Sequence, residues 1–177
     1  MREQQRPTGA VNSHSPVHQT SFATTAFERI DILRQARSIA MVGLSGNPYR
    51  PSHFVAIYLL AEGYNIIPVN PREKQILGRT CYPSLRDIPE PVDVVDIFRD
   101  PSAVPPLVEE AIAIGAKVIW MQLGVINEQA AVRAHEAGLK VVMDACMKIE
   151  HARFFGGLNT IGLNTGVVTS RRLGSLR

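Results

Sequence analysis

Read for its alternation of apolar and polar positions, the chain divides into short β-branched runs separated by longer, one-sided apolar segments. The first run, Ile39 to Val42, has the length of a buried strand and breaks at Gly43. A polar loop, Leu44 to Arg50, leads into a mostly apolar helical segment, Ser52 to Ala61, that stops at Gly63. Asn65 to Val69 reads as a second strand, with Pro68 marking its end. Val92 to Phe98, Lys117 to Met121 and Lys140 to Met143 are the third, fourth and fifth. Asp100-Pro101 opens a helix, irregular at Pro105-Pro106, that runs to Ile114. Asn127 caps another to Ala137, and Lys148 to Phe154 forms a last short one. Ahead of the first strand, Thr25 and Glu28 have capping-box spacing for a helix over Ala26 to Ala36. The connection Asn70 to Pro91 carries Gly78 and three prolines, and only one helical turn is expected in it, at Ser84 to Ile88.

Five strands alternating with helices predict an α/β fold: a Rossmann-like, doubly wound parallel sheet in the order 3-2-1-4-5. Ligands of such sheets bind beyond the carboxyl ends of the strands, here near the crevice between strands 1 and 4. Residues 1–24, rich in Ser, Thr, Gln, His and Pro, are expected to be a disordered tail. Residues 25–155 form the domain and 156–177 a C-terminal extension, in which G-L-N-T occurs at Gly157 and again at Gly162. Leu158, Ile161, Leu163, Val167 and Val168 would let the extension pack on the domain, and Arg171 and Arg172 would approach an anionic ligand or a neighbouring subunit.

Composition changes this picture little. A chain of 177 residues with a net charge of +3 suits one core and gives no basic patch for nucleic acid. No apolar run approaches the ~20 residues that span a bilayer, and the N-terminus has no signal-peptide core, so a cytoplasmic protein without a membrane partner is expected. Cys81 and Cys146 are far apart and belong to no C-x-x-C pair, which argues against zinc and a disulfide.

The chemistry gathers on the predicted rim. The loop after strand 1 holds Gly43, Ser45, Gly46, Asn47 and Arg50; the loop after strand 2 holds Asn70, Pro71 and Arg72; strand 3 is followed by Arg99. Any one of these arginines reads as readily as a solvated loop cation, but three on one rim, beside a helix N-terminus, suit a polyanionic small ligand. The run G-L-S-G-N-P is not the dinucleotide fingerprint, and Asn70-Pro71-Arg72 stands where an NAD site has an acid for the ribose hydroxyls. That substitution favours a phosphorylated ribose, which NADP and coenzyme A both carry. After strand 4 the rim is apolar; Trp120 fits core packing or ligand stacking, while Gln122 and Gly124 offer contacts to a linear amide-bearing arm.

No constellation demands an enzyme: there is no G-x-S-x-G, H-E-x-x-H or Walker loop. Asp93 and Asp96 are not expected to act as a dyad. Cys146, with Lys148 nearby, reads as a small half-buried residue or as a thiol set for mixed-disulfide chemistry with a thiol ligand.

From Ser38 to about Phe154 the sequence resembles the coenzyme A-binding domain family, and in particular its small single-domain bacterial members. The resemblance rests on V-G-L-S-G-N-P (Val42 to Pro48), P-V-N-P (Pro68 to Pro71), D-I-F-R (Asp96 to Arg99), W-M-Q-L-G (Trp120 to Gly124) and M-D-A-C-M-K-I-E (Met143 to Glu150). It implies coenzyme A or an acyl-CoA along the strand ends. Gly43 to Pro48 would face phosphate, and Asn70, Pro71 and Arg72 the nucleotide. Ile97, Phe98 and Arg99 would lie beside it, with Trp120, Gln122 and Gly124 nearer the pantetheine arm. The family includes the nucleotide-binding part of succinyl-CoA synthetase, whose phosphorylated histidine comes from outside this domain. The expected function is therefore a non-catalytic binding or sensing module for a small-molecule nucleotide. An NADP-dependent enzyme and a nucleotide-responsive regulator acting through a protein partner are the alternatives, and a homo-oligomer is compatible with each.

Overall fold

The computed structural model describes residues 24–156. The expected tail and extension lie, but for Thr24 and Gly156, outside the described residues.

Thr25 and Glu28 close the capping box that starts α1 (Ala26–Gln35): Thr25 Oγ1 accepts from Glu28 N–H at 3.2 Å, and Glu28 Oε2 from Thr25 N–H at 2.7 Å. The chain then runs β1 (Ser38–Val42), α2 (Pro51–Ala61) and β2 (Asn65–Val69). A hairpin follows, β3 (Gln75–Ile76) and β4 (Arg79–Thr80), whose turn residues Leu77 and Gly78 both have positive φ, as a type I′ turn requires. A 3₁₀ turn at Leu85–Asp87, capped by Ser84 and Asp87, fills the expected single helical turn. β5 (Val94–Ile97), α3 (Val104–Ala113), β6 (Val118–Met121), α4 (Glu128–Glu136), β7 (Lys140–Val142) and α5 (Met147–Phe155) complete the domain. The irregular start of α3 falls at Pro101–Ala103, a 3₁₀ turn capped by Asp100, one step before the paired prolines. Pro105 and Pro106 fit within the first helical turn, where their missing N–H groups have no intrahelical partner to lose.

All five main strands are parallel, in the order β2-β1-β5-β6-β7. With the strands numbered as the sequence suggests, this is 2-1-3-4-5. The difference lies in the connection after β2. There Tyr82 pairs in parallel with the outer edge of β2, its N–H on Pro68 O and its C=O on Asn70 N–H, both at 2.9 Å. Counted as a third strand, this single residue gives 3-2-1-4-5-6, the expected 3-2-1-4-5 order with one strand added at the far edge, and β5 becomes the fourth. The crevice therefore lies between β1 and β5. Pro68 is tolerated because its nitrogen faces that edge rather than β1.

Alternate residues of each strand enter two cores. Ile39, Met41, Val94 and Trp120 pack under α1, α2 and α5; Ala40, Val42, Val95 and Ile119 pack under α3 and α4. Buried Glu150 ties α5 to α1, accepting from Arg29 Nε at 2.7 Å and from Arg153 at 2.8 Å. Among the described residues no helix is long and apolar enough to cross a membrane.

Candidate functional site

The carboxyl ends of β1, β2, β5 and β6 and the first turns of α2 and α5 enclose a cleft of about 710 Å³. That is within the range of small-molecule sites. Gly43, Ser45, Arg50, Asn70, Arg72, Phe98, Arg99 and Gln122, all singled out from the sequence, line it.

The cleft exists because the chain leaves β1 through Gly43. Its φ of +84° is left-handed, and a Cβ there would lie 2.5 Å from Phe98 O and 2.8 Å from Arg99 Cδ. The backbones of the two loops can meet only at glycine. Beyond it the loop is internally braced. Ser45 N–H donates to Ser52 Oγ, Asn47 N–H to Ser45 Oγ and Tyr49 N–H to Asn47 Oδ1. His53, buried in the first turn of α2, donates from Nδ1 to Ser45 O at 2.9 Å and holds the loop from behind. Asn70 joins the loops after β1 and β2: Nδ2 donates to Leu44 O and Oδ1 accepts from Arg72 N–H. Its amide positions the rim.

Three cations remain available. Arg50, Arg72 and Arg99 are exposed, line the cleft from three loops, and make no salt bridge among the described residues. No side chain caps α2 and no acid occupies its first turn, so its partial positive charge faces the same space.

Other expected positions fall elsewhere. Ile97 and Trp120 are fully buried: Ile97 packs under α3 and α4, and Trp120 lies in the opposite core with Nε1 donating to Ala145 O at 2.8 Å. Their strand positions point into the two layers, and neither side chain lines the cleft. Gly124 is exposed, with its N–H on Asp144 Oδ1, and braces β6's loop against that of β7. Gly46, Asn47 and Pro48 lie on the exposed loop but do not line the cleft. Pro71 lines a neighbouring hollow of about 220 Å³ that shares Arg99 with the cleft.

Two carboxylates on the same end of the sheet were not among the expected site residues. Glu73 accepts from Gly46 N–H at 2.9 Å and fills the space a Cβ at Gly46 would need. Asp96 is fully buried on β5; Gln122 Nε2 donates to Oδ1 at 2.8 Å, while Oδ2 has no partner. Burial, outweighing that hydrogen bond, pushes the carboxyl up to about 8. At the other end of β5, partial burial works to raise Asp93. Lys117 Nζ and the N–H groups of Arg37 and Ser38 overcome it and hold the carboxyl down to about 2. The two acids lie at different depths and with different partners, and form no dyad.

Cys146, the N-cap of α5, also lines the cleft. Burial pushes its thiol up, against the N–H groups of Ile149 and Lys148 and the charge of Lys148. Neither N–H closes a full hydrogen bond to the sulfur. The Lys148 ammonium stands 5.8 Å over the Tyr58 ring.

Residues 37–152 match the family described as the CoA binding domain. The chain is also 42% identical over 122 residues to YneT of Bacillus subtilis (strain 168), covering 69% of this chain and 90% of that protein. The chain belongs to the CoA binding domain family. Among solved structures, a protein from Pyrococcus horikoshii OT3 superposes on this CoA binding domain with a TM-score of 0.73 at 40% identity, covering 86% of this chain and 98% of that one. A longer relative is acetate--CoA ligase [ADP-forming] II of Archaeoglobus fulgidus, 32% identical over 139 residues; the match covers 76% of this chain but 20% of the ligase. In this CoA binding domain, Ser52, Val55, Leu123, Val125 and Ile149 complete the cleft wall. They come from helix starts and loops whose inward face only the fold fixes.

Proposed function

We propose that the cleft binds coenzyme A or an acyl-CoA, and that the domain acts as a binding or sensing module without turnover. The observation that carries this reading is the convergence of Arg50, Arg72 and Arg99, free of carboxylate partners among the described residues, on the uncapped start of α2. A site with three guanidinium groups and a helix N-terminus suits the several phosphates of that ligand. Arg72 and Asn70 would take the nucleotide end, where Asn70 stands in place of a ribose-binding acid. The apolar wall of Leu123, Val125 and Ile149, interrupted by Gln122, would take the amide-bearing arm. Gln122 gives its Nε2 to Asp96, so its Oε1 is left to accept an N–H from that arm.

Membership of the CoA binding domain family supports the ligand class, and the relation to an acetate--CoA ligase agrees with it. Native mass spectrometry of the purified full chain is the test. A bound species with the mass of coenzyme A or an acyl derivative is expected. Release of NADP instead would favour the NADP-dependent enzyme.

A further inference from the structure

The apolar wall of the cleft carries one side-chain amide, and the group that orients it lies outside the cleft. Gln122 is fixed through its backbone: its N–H donates to Ile97 O at 3.3 Å, and its C=O accepts from Val125 N–H at 2.8 Å. Its side chain lines the cleft among Phe98, Leu123, Val125 and Ile149 and is 4% exposed. Nε2 turns away from that space and donates to Asp96 Oδ1 at 2.8 Å. Oε1 accepts no hydrogen bond among the described residues, yet it is not sealed in. Among those residues the buried side-chain atom without a partner is Asp96 Oδ2.

Asp96 does not itself line the cleft. It sits on β5 between Met41 of β1 and Trp120 of β6, all three fully buried. A carboxyl there is costly, because it has left water and one of its oxygens bonds to nothing. A valine of similar shape would suit a central strand better. The side-chain hydrogen bond that Asp96 does make goes to Gln122.

We propose that Asp96 is a positioning residue that sets the polarity of this wall: by holding Gln122 Nε2 it presents Oε1 to the cleft, so that the site selects a ligand arm with an N–H donor over one with acceptors alone. This rests on the reading of the cleft as a site for an amide-bearing nucleotide, and adds to it the group that enforces the contact. An ionised carboxylate has no proton to give, so it pairs with the amide one way round; the neutral acid can also donate to Oε1 and admit the reverse. Reversal would set Nε2 against the arm's N–H, donor against donor. Burial pushes the Asp96 carboxyl up to about 8, so the selection should sharpen as pH rises through that value. Its strand neighbours Met41 and Trp120 do not titrate over that range. Beyond the three rim arginines, the titratable or charged groups at this end of α2 and α5 are His53, Cys146 and Lys148. His53 is turned to Ser45 O, the Cys146 thiol is pushed up by burial, and the Lys148 ammonium stands over the Tyr58 ring.

The test uses the full chain and its Asp96→Val, Asp96→Asn, Gln122→Met and Asp96→Val/Gln122→Met variants. Titration calorimetry compares S-methyl coenzyme A, which has the amide arm but no thiol to titrate, with adenosine 3′-phosphate 5′-diphosphate, which has the nucleotide end alone. Asp96→Val should weaken the armed ligand about fivefold, as for one lost neutral hydrogen bond, and leave the armless one unchanged. Gln122→Met should lose as much and the double variant no more, because Asp96 acts through Gln122. Relative to the armless ligand, parent affinity for the armed one should rise about twofold from pH 7 to 9, as the competent orientation goes from shared to sole. Asp96→Asn pairs either way round at every pH and should stay flat. Unchanged binding of the armed ligand by Asp96→Val, equal loss of both ligands, or a further loss in the double variant would overturn the positioning role and leave the binding reading standing. A parent-like pH profile in Asp96→Asn would overturn it as well, whether or not Asp96→Val folds. Failure of the parent to bind either ligand would overturn both.

Discussion

Gly43→Ala is the substitution that most directly couples the fold to the cleft. Two costs arise at that position. Holding an L-residue in the left-handed region costs about 1–2 kcal/mol. The new methyl would also meet Phe98 O at 2.5 Å and Arg99 Cδ at 2.8 Å. The carbonyl cannot retreat freely, because Phe98 N–H is bonded to Val42 O at 2.9 Å and β5 is held between β1 and β6. Overpacking of this kind costs about 1–3 kcal/mol more. Gly63 supplies the control: its φ is +89°, but a Cβ there meets nothing within 4 Å. The gain from stiffening the unfolded chain is common to both variants and cancels in the comparison. Gly43→Ala should therefore melt below Gly63→Ala by roughly 2–12 °C, at about 2–4 °C per kcal/mol. Because the shift displaces Arg99, Gly43→Ala should also bind coenzyme A at least about tenfold more weakly, with Gly63→Ala like the parent. Calorimetric melting and ligand titration of the two variants read both effects. Equal melting temperatures would refute the close-approach argument, and equal affinities the link to the site.

Arg72→Ala should weaken ligand binding by about tenfold or more, as expected for a lost charge-assisted contact of roughly 1.5–3 kcal/mol, and by more than Arg50→Ala; titration calorimetry decides. Glu73→Gln keeps an acceptor for Gly46 N–H but removes a negative charge beside the cleft, so an anionic ligand should bind about fivefold tighter, a gain of ~1 kcal/mol. Trp120→Phe leaves the Ala145 carbonyl without its buried donor and should cost about 1–3 kcal/mol in urea denaturation while leaving ligand affinity unchanged. The depressed Asp93 contributes stability that is full above 3.8 and lost as pH falls through about 2, whereas the raised Asp96 makes stability decline as pH rises from 3.8 to about 8. Asp96→Asn should flatten the second limb in denaturation measured from pH 2 to 9 and leave the first in place.

The parts of the fold that were legible in the sequence are those whose signal is local. Thr25 with Glu28, Asp100 with Pro101, and Asn127 each announced a helix start through side chains that cap the next turn's N–H groups. The arginine rim was legible because alternation located the strand ends and a doubly wound sheet puts its ligand there. The hairpin over residues 75–80 was not, since two-residue strands carry no periodicity and Leu77 is an unusual residue at a left-handed turn position. Tyr82 escaped for a similar reason: one bridging residue decides the count of strands but has no pattern of its own. That Ile97 and Trp120 lie in the two cores rather than along the cleft was not legible, because a strand's last residues look alike whether they face a layer or a cleft. Glu73 and Asp96 depend on contacts 27 and 26 residues away along the chain, to Gly46 and Gln122.

On the proposed reading, the arginine-lined cleft recognises a phosphorylated ribose at the end of a coenzyme A-like ligand. Titration calorimetry of the full chain with coenzyme A, its 3′-dephospho form and NADP tests it most directly. Tightest binding is expected for coenzyme A, with at least about tenfold lost on removal of the 3′-phosphate. Equal affinity for the dephospho form, or a preference for NADP, would contradict it.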